Sequence, residues 1–497
     1  MFDYHALLPE LILGATLLVV LGVDLVVAPQ RRWLAGAAGI VGLLAAAVPL
    51  LTLANCERLS SCVSGTREMF GGSYVVDDFA LVLKGLFLVA GAIVLLASVG
   101  YLRRGRYYEG EYYFLVLASI LGAVIMASGR DLITMFIGLE LVSGPAFLLA
   151  GWRKGDLRSN EAALKFFLVG VLSSAILLFG MSLVYGTTGQ TTFAGIAAAT
   201  AAVSGESAFV VGVLLVLVGF GFKVSAVPFH FWAPDTYQGA PLPVAAYLSV
   251  GSKGAGFVGL LTICYSAFAG ARDVWGPALW VLAAATMTLG SLTALRQTNV
   301  VRLLGYSSIA HAGFMLAPFA MAAAFEGTAL QDGFFGSVTY LLVYAFMNLG
   351  AFAAVIAIAE RTGSREMDDW AGLARYAPVP AVLLGGFFFS LAGIPPLAGW
   401  FAKFVMFKAV LGGGGNPWGI ALAVIAAVNA VISLFFYARV LKVVFMDPAP
   451  EARPEGAPLS RPLAVALALT AAVVLAAGFY PQMVAFFGEA ARALALP

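Results

Sequence analysis

Six lysines lie inside long apolar stretches of this 497-residue sequence, where charged side chains are costly: Lys84, Lys165, Lys223, Lys253, Lys403 and Lys408. The whole chain has 20 arginines but only 8 lysines, so arginine is its usual basic residue. Arginine stays protonated in proteins, whereas a desolvated lysine readily loses its proton. The use of lysine in these stretches therefore favours groups that exchange protons.

A lysine near a helix end can extend its ammonium to the membrane surface. This explanation fits Lys165 and is an alternative for Lys84 and Lys408. Three lysines lie too deep for it: Lys223, Lys253 and Lys403. A charge at the membrane centre costs about 2.5–3.5 kcal/mol on insertion scales, so such residues are functional candidates.

One acidic residue and one histidine complete the candidate set. Glu140 lies in the middle of the apolar segment MFIGLELVSGP, and a carboxylate near a lysine stabilises the protonated amine. We predict that Glu140 is the counter-ion of one of the buried lysines, with a purely structural ion pair as the alternative. His311 lies one turn from Ser307 and Ser308, and imidazole titrates near neutral pH. It is predicted to carry protons, although a hydrogen-bonded structural histidine is nearly as good an explanation.

Prolines interrupt two of the apolar stretches close to these lysines. Lys223 precedes Pro228 by five residues, and Pro395 and Pro396 precede Lys403 by eight and seven. Proline inside a helix frees backbone carbonyls, which at membrane depth must be satisfied by protein or trapped water. Broken helices in corresponding halves of a chain are typical of the ion path of a transporter.

The composition places these residues in a membrane. The sequence is 61% hydrophobic and only 11% charged, with a mean hydropathy of +0.95. These values exclude a water-soluble enzyme, and the continuous apolar stretches exclude the alternating pattern of a β-barrel. The net charge of +2 argues against a nucleic-acid partner. Three cysteines are too few for an iron–sulfur cluster or zinc site, so no cofactor or metal is expected in this chain.

The sequence predicts an all-α polytopic membrane protein with about 14 transmembrane helices, arranged as two inverted five-helix repeats, each containing a broken helix. Residues 222–229 (FKVSAVPF) and 389–396 (FSLAGIPP) match with an offset of 167. Five helices span this offset, and an odd number inverts the second copy; chance similarity is the alternative. The expected units are an N-terminal three-helix segment (1–111), two repeats (112–267 and 275–445), and a linker with a final helix (446–497).

Basic residues in the loops predict the orientation, because they are enriched on the cytoplasmic side. With both termini extracytoplasmic, 17 basic loop residues lie on the cytoplasmic side and 5 on the extracytoplasmic side. Cys56 and Cys62 then lie in an extracytoplasmic loop, where a disulfide is possible. Two free cysteines are the alternative.

The segment FKVSAVPFHFWAPDTYQGAPLPVAAYLSVGSKGAGF resembles the proton-translocating, antiporter-like subunits of respiratory complex I, the NADH:quinone oxidoreductase. Its YQGAP…SK form looks like the subunit N type of bacteria, the counterpart of mitochondrial subunit 2. IGLELVS, NVVRLLGYSSIAHAGFML and SLAGIPPLAGWFAKF match as well, so the resemblance covers nearly the whole chain.

This resemblance implies roles for the candidate residues. Glu140 would pair with Lys223 on the first broken helix, Lys253 and His311 would continue a central polar axis, and Lys403 would lead towards the exit. Arg302 departs from the lysine expected in many relatives. Flavin, iron–sulfur clusters and quinone would belong to partner subunits. The location would be the bacterial cytoplasmic (inner) membrane, beside other membrane subunits and indirectly the hydrophilic redox arm.

Two other functions remain open from the residues alone. A secondary Na⁺/H⁺ antiporter subunit is the main alternative, although a sodium site would need several oxygen ligands. A passive membrane scaffold, in which the buried charges only fix packing, does not explain why lysine is preferred over arginine.

Overall fold

We describe the protein from a computed structural model, which covers residues 3–56, 65–105, 107–412, 415–450 and 457–490. Five residues of the sequence predictions lie outside the described residues: Arg58, Cys62, Arg106, Arg453 and Arg492. The Cys56–Cys62 disulfide therefore stays a prediction. Within the described part, Cys56 is buried beside Arg67, whose guanidinium Nη2 lies 3.1 Å from Sγ, and Cys264 is a buried free thiol.

The described residues are almost entirely helical. The first helices are α1 (Tyr4–Val26), α2 (Trp33–Ala54), α3 (Asp78–Gly105), α4 (Gly110–Ser128), α5 (Leu132–Ala150), α6 (Leu157–Thr188), α7 (Phe193–Val203), α8 (Ser207–Lys223), α9 (Trp232–Gly239), α10 (Leu242–Tyr247) and α11 (Lys253–Thr262). The remaining ones are α12 (Arg272–Ala294), α13 (Val300–Ala320), α14 (Gly327–Thr362), α15 (Pro378–Ala392), α16 (Gly399–Leu411), α17 (Pro417–Phe445), α18 (Arg461–Phe479) and α19 (Gln482–Ala490).

Twelve of the described helices are long and apolar enough to cross a membrane, or 13 if a bent pair formed by 368–375 and α15 counts as one. The span 242–267 joins α10 and α11 through the π-helical turn Leu248–Ser252. This confirms the predicted all-helical membrane fold. The predicted total of about 14 is not confirmed, because the two broken stretches form shorter helices: α8 ends at Lys223 after 17 residues and α15 ends at Ala392 after 15.

Four small elements were not predicted. α7 and α19 are short helices, and strands β1 (Arg67–Met69) and β2 (Tyr74–Val76) form an antiparallel hairpin between α2 and α3. The hairpin also contacts the α4–α5 connection, where Tyr74 bridges to Gly129. These segments are too short to produce a periodic apolar pattern in the sequence.

The helix order recurs along the chain. In the first copy, the three long helices α4–α6 are followed by the broken pair α8 and α9 and then by the span 242–267. In the second copy, the three long helices α12–α14 are followed by the broken pair α15 and α16 and then by α17. The repeats expected at 112–267 and 275–445, their inverted relation and the domain boundaries stay predictions.

The first break lies between α8 and α9, where other helices satisfy the freed backbone groups. The carbonyl of Phe222 accepts a hydrogen bond of 3.3 Å from the indole of Trp232. The amide of Val227 donates to Thr286 Oγ1 at 2.9 Å. The protein itself therefore replaces the lost helical hydrogen bonds, as membrane depth requires.

The second break follows Ala392, the last residue of α15. Gly393 has a φ of +91° and packs so closely that an added Cβ would lie 2.7 Å from Lys403 Cδ. Only glycine suits this position, on both backbone and steric grounds. The α16 residue Gly399 donates its amide to Ser390 Oγ at 3.1 Å, which ties the two halves together.

Candidate functional site

The first candidate group lies where α5 and α6 meet the first break. Lys223 is only 3% exposed, and its ammonium donates to Ser143 Oγ at 2.5 Å. Ser143 is one turn after Glu140 on α5. The Glu140 carboxylate accepts a hydrogen bond of 2.5 Å from Ser174 on α6. Each charged group is thus held by a serine hydroxyl.

The direct Glu140–Lys223 ion pair implied by the resemblance is absent from the described residues, where the lysine donates to Ser143 and the carboxylate accepts from Ser174. Glu140 therefore lies one turn of α5 before the serine that holds the Lys223 ammonium.

The second group is centred on Lys253, the first residue of α11, which is 1% exposed. Its ammonium donates to the carbonyl of Ser308 at 2.8 Å and to the hydroxyl of the same residue at 2.5 Å. Tyr344 on α14 donates to that hydroxyl at 2.9 Å. This places a lysine, a serine and a tyrosine from three helices in one continuous hydrogen-bonded chain.

His311 lies one turn further along α13 and is 2% exposed. Its ring packs against Tyr344, with the centroids 5.2 Å apart. Nδ1 is hydrogen-bonded to the hydroxyl of Tyr340 at 2.9 Å, and Nε2 lies 3.4 Å from that of Tyr437. Tyr437 is also hydrogen-bonded to Ser307. Both ring nitrogens therefore face hydroxyl groups that can donate or accept a proton.

Lys403 on α16 forms the last part of the site. It is 7% exposed, and its ammonium donates to the Ala392 carbonyl at the second break at 2.6 Å. The same ammonium lies 5.3 Å from the ring centroid of Phe314, one turn after His311 on α13. The broken helix thus supplies the acceptor that holds this lysine in an apolar interior.

The structure brings most of the predicted residues into one buried group. Hydrogen bonds and ring contacts run from Lys253 through α13, including His311, to Lys403. Lys223 joins this group by close helix packing, because a Cβ on Gly256 of α11 would lie 2.8 Å from its own Cβ. Glycine at this position lets α11 approach the first broken helix.

The other three lysines differ from this group. Lys165 and Lys408 have side chains that are 46% and 63% exposed and pair with carboxylates, consistent with positions at helix ends. Lys84 is completely buried and forms an ion pair with Glu10 at 2.8 Å. The alternative that Lys84 extends to the membrane surface is therefore wrong, because a carboxylate from α1 holds it inside.

Sequence reasoning missed several partners of the site, namely Ser143, Ser174, Tyr340 and Tyr437. Serine and tyrosine are common in membrane helices, and their spacing carries no distinguishing pattern. Sequence reasoning also counted Arg439 among the basic loop residues. This arginine lies in α17, and its guanidinium donates to the carbonyls of Leu295 and Gln297. Only the helix packing shows which hydroxyls face the charged groups.

Comparison with known proteins then identifies the family. The NADH:quinone oxidoreductase/Mrp antiporter transmembrane family matches residues 129–433. The chain belongs to this family. Subunit N 2 of NADH-quinone oxidoreductase from Streptomyces griseus is 44% identical over 462 residues, which cover 91% of this chain and 84% of the relative. Subunit N of F(420)H(2) dehydrogenase from Methanosarcina mazei is 38% identical, with 96% of each chain covered.

Solved structures agree with the fold of this family member. A chain of respiratory complex I from Thermus thermophilus has a TM-score of 0.75 and 30% sequence identity, with 96% of this chain and 98% of that chain covered. A chain of the Mrp complex from Dietzia has a TM-score of 0.83 at 24% identity, with 99% and 98% covered. The second likeness shows the fold alone. Together these comparisons confirm the family expected from the sequence motifs.

Proposed function

We infer that this chain is a proton-translocating membrane subunit of an NADH:quinone oxidoreductase. The observation that carries the proposal is the buried group of Lys253, Ser308, His311 and Lys403 inside an antiporter-like fold. Five helices contribute hydrogen-bonding side chains to it and its tyrosine partners, namely α11, α13, α14, α16 and α17, and its basic members are residues that can release a proton. The subunit N relatives support the assignment to this type of complex.

We propose that protons enter from the cytoplasm and pass by Lys223, Lys253 and His311, with ordered water between the groups. They leave from Lys403. Glu140 sets the charge state of Lys223, because a nearby carboxylate favours the protonated amine. Since Glu140 lies one turn of α5 before the serine that holds Lys223, a small shift of α5 would change the interaction of the carboxylate with the ammonium. Such a shift is how a neighbouring subunit would couple to this chain.

Redox chemistry belongs to partner chains in this proposal. Flavin, iron–sulfur clusters and quinone would reside there, and this subunit would contribute translocation without electron transfer. The partners would be other membrane subunits and, indirectly, the hydrophilic redox arm. The F(420)H(2) dehydrogenase relative supports this division, because a similar membrane subunit is named in a complex with a different electron donor.

The proposed location is the bacterial cytoplasmic membrane, with both termini extracytoplasmic. The multi-span fold supports a membrane location, and the distribution of basic loop residues supports the orientation. Reaction of single introduced cysteines with an impermeant thiol reagent in intact cells would test it. Labelling near residue 70 but not near residue 300 is expected.

The central test is proton pumping by the assembled complex with Glu140→Gln. The substitution keeps the shape and the Ser174 contact but removes the charge that acts on Lys223. We expect NADH-driven proton uptake into inverted membrane vesicles to fall at least about tenfold. Normal pumping by a fully assembled variant would contradict the proposal.

A secondary Na⁺/H⁺ antiporter is the second candidate, favoured by the fold shared with the Mrp complex. The two functions differ in their driving force. A sodium gradient imposed on vesicles without NADH would move protons only in an antiporter. We expect no sodium-driven pH change, because the charged groups buried in the central site are lysines rather than a set of oxygen ligands.

A further inference from the structure

A second buried charged group lies apart from the central site, between the N-terminal helices and the antiporter-like core. Lys84 of α3 is 0% exposed and lies 2.8 Å from Glu10 Oε1 of α1. Tyr74 of β2 stands between them: Lys84 donates to its hydroxyl at 3.0 Å, and that hydroxyl donates to Glu10. Three segments of chain thus converge on one lysine, one tyrosine and one carboxylate.

This triad has a route to its surroundings. The Glu10 side chain is 11% exposed, whereas Lys84 has no exposed surface. The second carboxylate oxygen, Oε2, is buried without a hydrogen-bond partner among the described residues. The Glu10 side chain therefore lies between the enclosed ammonium and the edge of the protein.

A neighbouring ion pair provides a useful contrast. Arg130 lies 2.9 Å from Asp77, and its other donors bind the carbonyls of Ala127 and Gly129. This pair lies beside the triad, because the amide of Arg130 donates to the carbonyl of Ser73, the residue before Tyr74, at 2.9 Å. Arginine fixes its charge permanently, whereas lysine does not. The Arg130–Asp77 pair is therefore suited to a structural role, and the Lys84–Glu10 pair is suited to proton exchange.

We propose that Glu10, Tyr74 and Lys84 form a second proton-exchange site, which releases protons on the extracytoplasmic side. The proposal rests on the proposed function. A proton passes from the Lys84 ammonium to the Tyr74 oxygen as the Tyr74 proton passes to Glu10. The products are a neutral amine and a neutral carboxylic acid, so the net charge of the buried site is unchanged. Glu10 then loses its proton to solvent.

Lys84 lies on a helix, α3, that reaches the central site. Phe87, one turn after Lys84 on α3, packs near Gly254, where an added Cβ would lie 3.2 Å from its ring. Gly254 follows Lys253 directly in α11. A displacement of α11 on protonation of Lys253 would therefore press on α3 close to Lys84. This contact gives the second site a mechanical connection to the first.

The test compares two variants of the complete complex in inverted membrane vesicles. Lys84→Arg keeps the charge and the partner of Glu10 but prevents proton release. The double variant Lys84→Met with Glu10→Gln removes both charges together, so no unpaired charge stays buried. Both variants are expected to assemble and to lower NADH-driven proton pumping about tenfold.

The matched control is the double variant Asp77→Asn with Arg130→Met, which removes the neighbouring pair and is expected to pump normally. Normal pumping by Lys84→Arg, or by the double variant at Lys84 and Glu10, would overturn the proposal in favour of a structural ion pair. Infrared difference spectra add a second readout, since a carboxylic-acid band that Glu10→Gln abolishes is expected on addition of NADH. If these variants pump normally while Glu140→Gln does not, the second site is wrong and the proposed function stands.

Discussion

Ser308 holds Lys253 at two atoms, because its carbonyl and its hydroxyl both accept hydrogen bonds from the same ammonium. The hydroxyl also accepts one from Tyr344. A single serine therefore satisfies a buried charge and connects it to the aromatic group around His311. This relationship explains how the protein tolerates the lysine and gives a specific target for mutation.

The first prediction concerns this hydroxyl. Ser308→Ala removes the side-chain connection between Lys253 and Tyr344 but leaves the carbonyl acceptor. We expect assembly to persist and NADH-driven proton pumping to fall by about tenfold. Ser337→Ala is the control, since among the described residues that buried hydroxyl donates to the Met315 carbonyl and has no other hydrogen-bond partner. Equal pumping by the two variants would argue against a role for Ser308 in proton transfer.

The second prediction compares two lysines of α16. Lys403→Arg keeps the positive charge in the apolar interior but cannot release its proton at accessible pH. We expect proton pumping to be lost while the complex still assembles. Lys408→Arg, at an exposed position on the same helix, is expected to pump normally. A scaffold role for Lys403 would instead leave the first variant active, as measured by fluorescence quenching in vesicles.

The third prediction concerns the Tyr437 hydroxyl, which lies beside Nε2 of His311. Tyr437→Phe removes the contacts with His311 Nε2 and Ser307 while keeping the ring in place. We expect a several-fold loss of pumping and a shifted pH profile, because the histidine loses one partner. Tyr112→Phe loses a comparable buried contact to Ser98 and is expected to change neither quantity. An unchanged pH profile for the first variant would indicate a packing role only.

The fourth prediction concerns the close approach of α11 to the first broken helix. A methyl group at Gly256 would lie 2.8 Å from Lys223 Cβ, so Gly256→Ala forces the helices apart. We expect destabilisation of about 1–3 kcal/mol, the usual effect of overpacking. Gly144→Ala on α5 is the control, because no atom lies within 4 Å of its added Cβ. Thermal inactivation of the purified complex measures the difference, and equal inactivation of the two variants would contradict the prediction.

The membrane fold and its principal charged residues follow from the sequence because the bilayer imposes simple rules. A helix that crosses it needs about 20 apolar residues, so helix positions are visible in the pattern of apolar stretches. The few charged residues inside those stretches stand out for the same reason. Lys223, Lys253 and Lys403 were identified in this way, and all three are buried.

The partners of these residues depend on packing between helices that are distant in the chain. Ser143 holds Lys223 across 80 positions, and Ser308 holds Lys253 across 55. The ion pair of Lys84 with Glu10 was missed because the carboxylate comes from α1, and no sequence pattern connects the two. Composition and spacing determined the helices and their buried charges, since these depend on local hydrophobicity. The tertiary structure alone decided which groups exchange hydrogen bonds, since that depends on how helices are rotated and packed against each other.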